Sequence, residues 1–162
     1  PHESTRRQRQ MCIRDRNPHI LNISPPLDMN PDWFSGHVAY SMAKFGMSLC
    51  VLGMAAEFKD DGVAVNALWP RTAIATAAVK NVLGGEQLVN ISRGPEIMAD
   101  AAYVILTKPS KEFSGNFCID DTLLAENGVS DFSVYADVPF DQLAPDFFVP
   151  EDMPPPEAAK KS

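Results

Sequence analysis

The sequence predicts an α/β domain in which a parallel sheet is covered by helices on both faces. Three observations predict it. Short apolar runs bounded by turn residues, "HILNIS" at 19–24, "VAVNALWP" at 63–70 and "SGNFCID" at 114–120, read as buried strands. Long helical stretches separate them, and a parallel pair of strands requires a crossover of about a dozen residues or more. The runs are continuous rather than alternating, as burial on both faces demands. At 162 residues and 45% hydrophobic, the chain is long enough for one core of this kind.

Each element follows in turn. The first strand is stopped by Pro25 and Pro26, and "PPLDMNPDWFSG" is a loop with three prolines and a glycine. Residues 37–58 contain no proline. Small residues (Ala39, Ala43, Gly46, Ala55, Ala56) mix there with apolar ones (Met42, Phe45, Met47, Leu49, Val51, Leu52, Met54) on more than one face. That pattern predicts a long helix buried on both sides and packed closely on another helix, with the methionines as packing residues. "KDDG" turns the chain into the second strand. The stretch "RTAIATAAVKNVLGG" runs from loop into a short helix stopped by Gly84 and Gly85, and 94–109 forms a third helix with Pro95 in its first turn and Pro109 as its stop. After about Ala136 the sequence turns rich in proline and acids, which marks 137–162 as a tail whose "PDFF" can dock its aromatics.

The first sixteen residues stand apart. "PHESTRRQRQMCIRDR" holds five arginines and no apolar period. "MCIRDR" matches the translation of ATG-TGT-ATA-AGA-GAC-AG, a transposon end used to build sequencing libraries. Residues 1–16 are therefore expected to be an adapter artefact, with the biological sequence entering mid-domain near Asn17 and the domain running over 17–136. Removing those residues, with their five arginines, one glutamate and one aspartate, takes the net charge from −7 to −10. No basic surface then remains for nucleic acid. No apolar run reaches the length of a transmembrane helix, and no signal peptide is recognisable. Cys12, Cys50 and Cys118 are widely spaced and odd in number, which excludes a zinc motif, predicts no metal site and predicts that Cys50 and Cys118 are small buried apolar residues. A reduced compartment is implied: the cytoplasm, or an organelle lumen in a eukaryote.

The candidate chemistry lies in "YSMAK". Tyr40 and Lys44 are four apart and so share a helix face. A free phenol has a pKa of about 10 and is a poor acid or base at neutral pH. An adjacent ammonium favours the phenolate and lowers that value, and the pair can then exchange a proton with an alcohol or carbonyl oxygen. The spacing alone recurs by chance in about one chain in several.

Its setting is more specific. The pieces "NIS", "AYSMAK", "VNALWP", the threonine-bearing "RTAIAT" and "GNFCID" resemble, in order, the motifs of the C-terminal half of the short-chain dehydrogenase/reductase family. The match runs from about Asn17 to Asp120. A closer likeness to the bacterial citronellol/citronellal dehydrogenase branch extends to about Phe148. The resemblance implies the C-terminal part of a Rossmann-type doubly wound parallel sheet, with its N-terminal strands missing. It also implies hydride transfer with NAD or NADP at the carboxyl ends of the strands, on a lipid-like or terpenoid alcohol/carbonyl substrate, and a homo-oligomer at full length. By position, Tyr40 is the general acid/base. Lys44 tunes it and binds the nicotinamide ribose. Pro70, Thr72, Ile74 and Thr76 flank the nicotinamide.

Three departures from the family pattern carry expectations of their own. The usual catalytic serine position holds Pro25, leaving Ser24 one residue earlier either to face the substrate or to close the strand end. Arg71 replaces a glycine, and is either a solvated loop residue or a contact for a cofactor phosphate. "IDDT" replaces a glycine-rich ending, with Asp120 structural and Asp121 exposed. The family's glycine-rich phosphate turn has no counterpart in this sequence, so the chain alone is expected to bind NAD(P) poorly and to be inactive. Its first strand is expected to present an open, aggregation-prone edge. A degenerate, non-catalytic binding or assembly module is the alternative.

Overall fold

The structure is a computed structural model, and it describes residues 17–161; the expected adapter at 1–16 lies outside them. Three parallel strands form one sheet in the order β1 (His19–Ile23), β2 (Ala64–Trp69), β3 (Phe117–Ile119). His19 pairs with Ala64 and Ile23 with Leu68; Ala67 pairs with Phe117 and Trp69 with Ile119. Helix α1 (Val38–Glu57) crosses from β1 to β2, and α2 (Gly85–Asn90) and α3 (Glu96–Thr107) from β2 to β3.

Every residue of β2 is buried, and its alternation explains both layers. Val65, Ala67 and Trp69 meet the α1 layer through Val51, Met54 and Phe45, whereas Leu68 meets Ile97, Ala101 and Ile105 of α3. The polar exception, Asn66, is fully buried and fully used. Its Nδ2 donates to Phe113 O at 2.9 Å, and its Oδ1 accepts from Asn116 N at 3.0 Å, which fixes the turn into β3. At Gly62, φ is +69°, the left-handed conformation that lets the turn after α1 reverse into β2.

Four expectations need correction. Helix α1 is not buried on both sides: Ser41, Phe45, Ser48 and Val51 face the protein, while Val38, Met42, Leu49 and Leu52 are exposed. Gly46 and Gly53 have nothing near the position of a Cβ, so no helix packs closely there within the described residues. Cys50 is exposed on that outer face rather than buried. Helix α1 is also, at twenty residues, long and apolar enough by length and composition to cross a membrane, contrary to the length argument above; its buried stripe instead packs on the sheet.

Gly84 ends the second helical segment, as expected, its N–H donating to Val79 O at 3.1 Å. The chain passes through a π-helical turn at Val79–Leu83, and Gly85 opens α2. A further helix, α4 (Asp120–Glu126), leaves β3 with no loop between them. The acidic first turn of "DDTLLAE" was its signal in the sequence. The proline-rich segment beyond 136 lies against the domain, with Leu143, Phe148 and Ala159 buried, and ends in the short α5 (Glu157–Lys160).

Candidate active site

The carboxyl ends of β1 and β2 and the first turns of α1 converge on one region. Asn22 Nδ2 donates to Met47 O at 3.2 Å, and Ser48 Oγ donates to Pro25 O at 2.7 Å. These bonds tie the end of β1 and its Pro-Pro loop to α1. Ser41 Oγ donates to Trp33 O and ties the start of the helix to the preceding loop.

On this frame Lys44 Nζ donates to Ile23 O at 3.2 Å and lies 5.0 Å from the centroid of the Trp69 ring. Its ammonium is held between the last residues of two neighbouring strands. Tyr40, one turn earlier, is 50% exposed, and its ring stacks on Phe148 at 5.8 Å and 17°. The pair shares a face, as the spacing predicted.

The electrostatics differ from the expectation that Lys44 lowers the phenol's pKa. Burial against Phe148 and its neighbours holds Tyr40 above its ordinary value, and the negative charge of Asp146 adds to the effect. Burial also holds Lys44 below its ordinary value, which Asp146 partly offsets. Asp146 itself is pushed up to about 6 by burial, against the opposing pull of the Phe147 N–H and of Lys44. Asp146 is thus a third charge at this site, and sequence reasoning missed it.

The other candidates divide. Ser24 is fully buried and its Oγ has no hydrogen-bond partner, so it bonds to neither Tyr40 nor Lys44. Pro70 is buried at the exit of β2. Thr72 is buried, with Oγ1 unpartnered. Ile74 instead packs into the core under α3, and Thr76 Oγ1 accepts from Val79 N at 3.3 Å, capping the next turn. Ser24 and Thr72 are thus buried hydroxyls left without a partner, which is costly.

Arg71 is neither solvated nor free for a phosphate. Its Nε donates to Asp121 Oδ1 at 2.7 Å, Nη2 to Thr122 Oγ1 at 2.8 Å and Nη1 to Met153 O at 2.7 Å. Asp121, expected to be exposed, is completely buried, because Arg93 Nη1 also reaches it, at 3.2 Å. Asp120 is structural, as expected: its Oδ1 accepts from Arg71 N and Asp121 N at 3.0 and 2.7 Å. Trp33 and Phe34 pack, Trp33 against Phe147 and Phe148, and Phe34 against Phe45.

A parallel sheet with long helical crossovers is also the fold of solved short-chain dehydrogenases, to which the chain is similar. A short-chain dehydrogenase from Mycobacterium thermoresistibile superposes with a TM-score of 0.75 at 51% identity, covering 86% of this chain and 49% of that one. A putative dehydrogenase from Xanthomonas campestris superposes with a TM-score of 0.78 at 50% identity, covering 86% of this chain and 50% of that one.

More particularly, the chain is similar to hydroxysteroid dehydrogenase-like protein 2. It is 54% identical to the Danio rerio protein over 151 residues, covering 89% of this chain and 36% of that protein. Identity to the Bos taurus protein is 59% over 133 residues (82% and 31%), and to the Homo sapiens protein 56% over 143 residues (88% and 33%). The chain spans about a third of the length of these curated relatives and about half of each solved chain. No protein-family model matches it. The resemblance read from the sequence holds, and so does the α/β fold.

Proposed function

We propose that this chain carries the proton-transfer part of an NAD(P)-dependent oxidoreductase site that interconverts an alcohol and a carbonyl. The observation that carries the reading is the placement of Tyr40 and Lys44 together at the carboxyl ends of β1 and β2, with Lys44 anchored to Ile23 O. In this reading the Tyr40 hydroxyl gives a proton to the carbonyl oxygen during reduction and takes it back during oxidation. Lys44 supplies positive charge beside it when the phenolate forms.

The unpaired hydroxyls of Ser24 and Thr72 fit a bound nicotinamide group, which would supply hydride chemistry. Together with Pro70 and Lys44 they are the residues of this chain that would hold it; Ile74 and Thr76 would hold the loop in place, Thr76 N donating to Ile74 O at 2.7 Å. The partly buried aromatic side chains of Trp33, Phe34 and Phe147 support a lipid-like or terpenoid substrate. The exposed apolar face of α1 supports a homo-oligomer at full length. The glycine-rich turn for the cofactor's phosphates is not among these residues, so the isolated chain is expected not to turn over.

In a full-length protein containing this chain, Tyr40→Phe should lower kcat at least a hundredfold in NAD(P)-linked assays on apolar alcohols, and unchanged turnover would remove the assignment. The alternative, a non-catalytic binding or assembly module, draws on Pro25 in the place of a serine and on the burial of Ser24. Calorimetric titration with NADH and NADPH separates the two readings, since the module would bind neither.

A further inference from the structure

The segment 144–149, which composition alone marks as tail, is strapped across the carboxyl end of β2. Ala73 N donates to Ala144 O at 2.9 Å, Asp146 N donates to Arg71 O at 2.9 Å, and Thr72 and Pro145 form an antiparallel bridge. The Trp69 indole Nε1 donates to Phe147 O at 2.7 Å. At the centre of the strap, Phe148 has φ +71°, the one non-glycine residue with positive φ among the described residues. A bulky side chain adopts that conformation at a cost, and such strain persists where the surroundings impose it.

What the conformation achieves is visible in the ring contacts. Phe148 is completely buried and touches four rings besides that of its neighbour Phe147. It stacks on Tyr40 and meets Phe45 at 5.2 Å, Trp33 at 5.9 Å and Trp69 at 6.0 Å. One side chain therefore supports both halves of the candidate pair: directly the phenol ring of Tyr40, and through Trp69 the indole under the Lys44 ammonium.

We propose that Phe148 is a positioning residue for proton transfer, its ring fixing the plane and depth of the Tyr40 phenol, and that the strap 144–149 is part of the active site. The proposal rests on Tyr40 being the acid/base, and the test separates the two. The charged or titratable groups around the phenol are Lys44 on its own helix and Asp146 on the strap, with His37 at the helix start against Phe147 at 5.2 Å.

The experiment compares Phe148→Gly, Phe148→Leu, Phe148→Tyr and Tyr40→Phe in the full-length protein. Glycine accepts the left-handed backbone but removes the ring, while leucine keeps the buried apolar bulk without a flat surface. The measurements are kcat and KM across pH, thermal unfolding, and phenolate absorbance with Tyr40→Phe as the blank. Phe148→Leu should lower kcat roughly tenfold to a hundredfold with the cofactor KM unchanged, and Phe148→Tyr should retain activity. Phe148→Gly should bring the Tyr40 titration, and with it the matching limb of the pH profile, down towards the ordinary phenol range. Folded Phe148→Leu and Phe148→Gly proteins with the parent's kcat, pH profile and phenol titration would overturn the proposal while leaving the Tyr40 assignment intact. If Tyr40→Phe keeps full turnover, the acid/base reading fails and the catalytic role of Phe148 falls with it; the phenol titration then reports only whether the ring contact is made.

Discussion

The two flanks of β2 are built differently. On the β3 side, opposite charges are buried and paired: Asp121 lies between Arg71 and Arg93, and Arg71 also donates to Met153 O and Thr122 Oγ1. The remaining Arg93 surface is covered by the Phe132 and Phe140 rings, each 5.6 Å from its guanidinium. On the β1 side, the strand is only partly buried, Ile23 is exposed at its end, and the outer face of α1 shows Met42, Leu49 and Leu52. No strand among the described residues pairs with the outer edge of β1. The candidate pair sits on the open flank, on α1, but Phe148 and Trp69 hold it from the β2 exit and its strap. The positions of Tyr40 and Lys44 are thus set in part by the better-packed half of the chain.

Removing the anchor of the closed flank should produce the largest effect. Asp121→Ala would leave two buried guanidiniums without their carboxylate, and breaking a buried ion pair in this way costs about 3–5 kcal/mol. Much of the stability of a domain this size is at stake, so the urea midpoint should fall sharply or the cooperative transition disappear. Ile23→Ala on the open flank, already exposed, should stay within about 0.5 kcal/mol. Equal effects from the two substitutions would erase the contrast.

A second test uses pH, because the raised carboxyls lie at the start of α4, bonded to Arg71 N, and in the strap. Burial first, and then the Asp121 charge, push Asp120 up to about 7, while Asp146 is raised to about 6. The folded protein therefore holds protons on these groups that the unfolded chain releases near pH 4. Their contribution is fully present below about pH 4 and is lost as pH rises towards 7, since stability falls with pH wherever the native state binds more protons. Relative to Asp120→Asn, the wild-type urea midpoint should decline across that window. Parallel curves for the two proteins would show that Asp120 does not titrate there.

These contrasts also explain what was legible in the sequence. The strands and long helices announced themselves because apolar runs and helical spacing are local signals. Tyr40 and Lys44 were legible for the same reason, being four apart on one helix. The strap was legible only in part: "PDFF" was expected to dock its aromatics, as Phe147 and Phe148 do, but where it docks depends on bonds to residues more than seventy positions earlier, which a Pro/acid-rich composition does not encode. Arg71 and Asp121 were read separately, as a loop cation and an exposed acid, because fifty residues separate the members of the pair. The outer face of α1 misled in the opposite sense. Its apolar residues predicted burial, and among the described residues nothing covers them.

That uncovered face gives the smallest and most discriminating test. A Cβ on Gly53 would meet nothing within 4 Å, and its φ is not in the left-handed range. Gly53→Ala should therefore stabilise this chain by up to about 1 kcal/mol, through helix propensity alone. The same methyl group would behave differently if, as proposed, a second subunit packs here in the full-length protein. Helices that meet through glycines approach closely, and an added methyl group would separate them. Sedimentation of the full-length protein should then show weaker self-association for Gly53→Ala, even as the 17–161 segment unfolds at higher urea. A gain in stability with unchanged association would place the subunit contact away from α1. A loss of stability in the segment itself would mean that the face is covered from within the chain, and that the two flanks of β2 are more alike than their burial indicates.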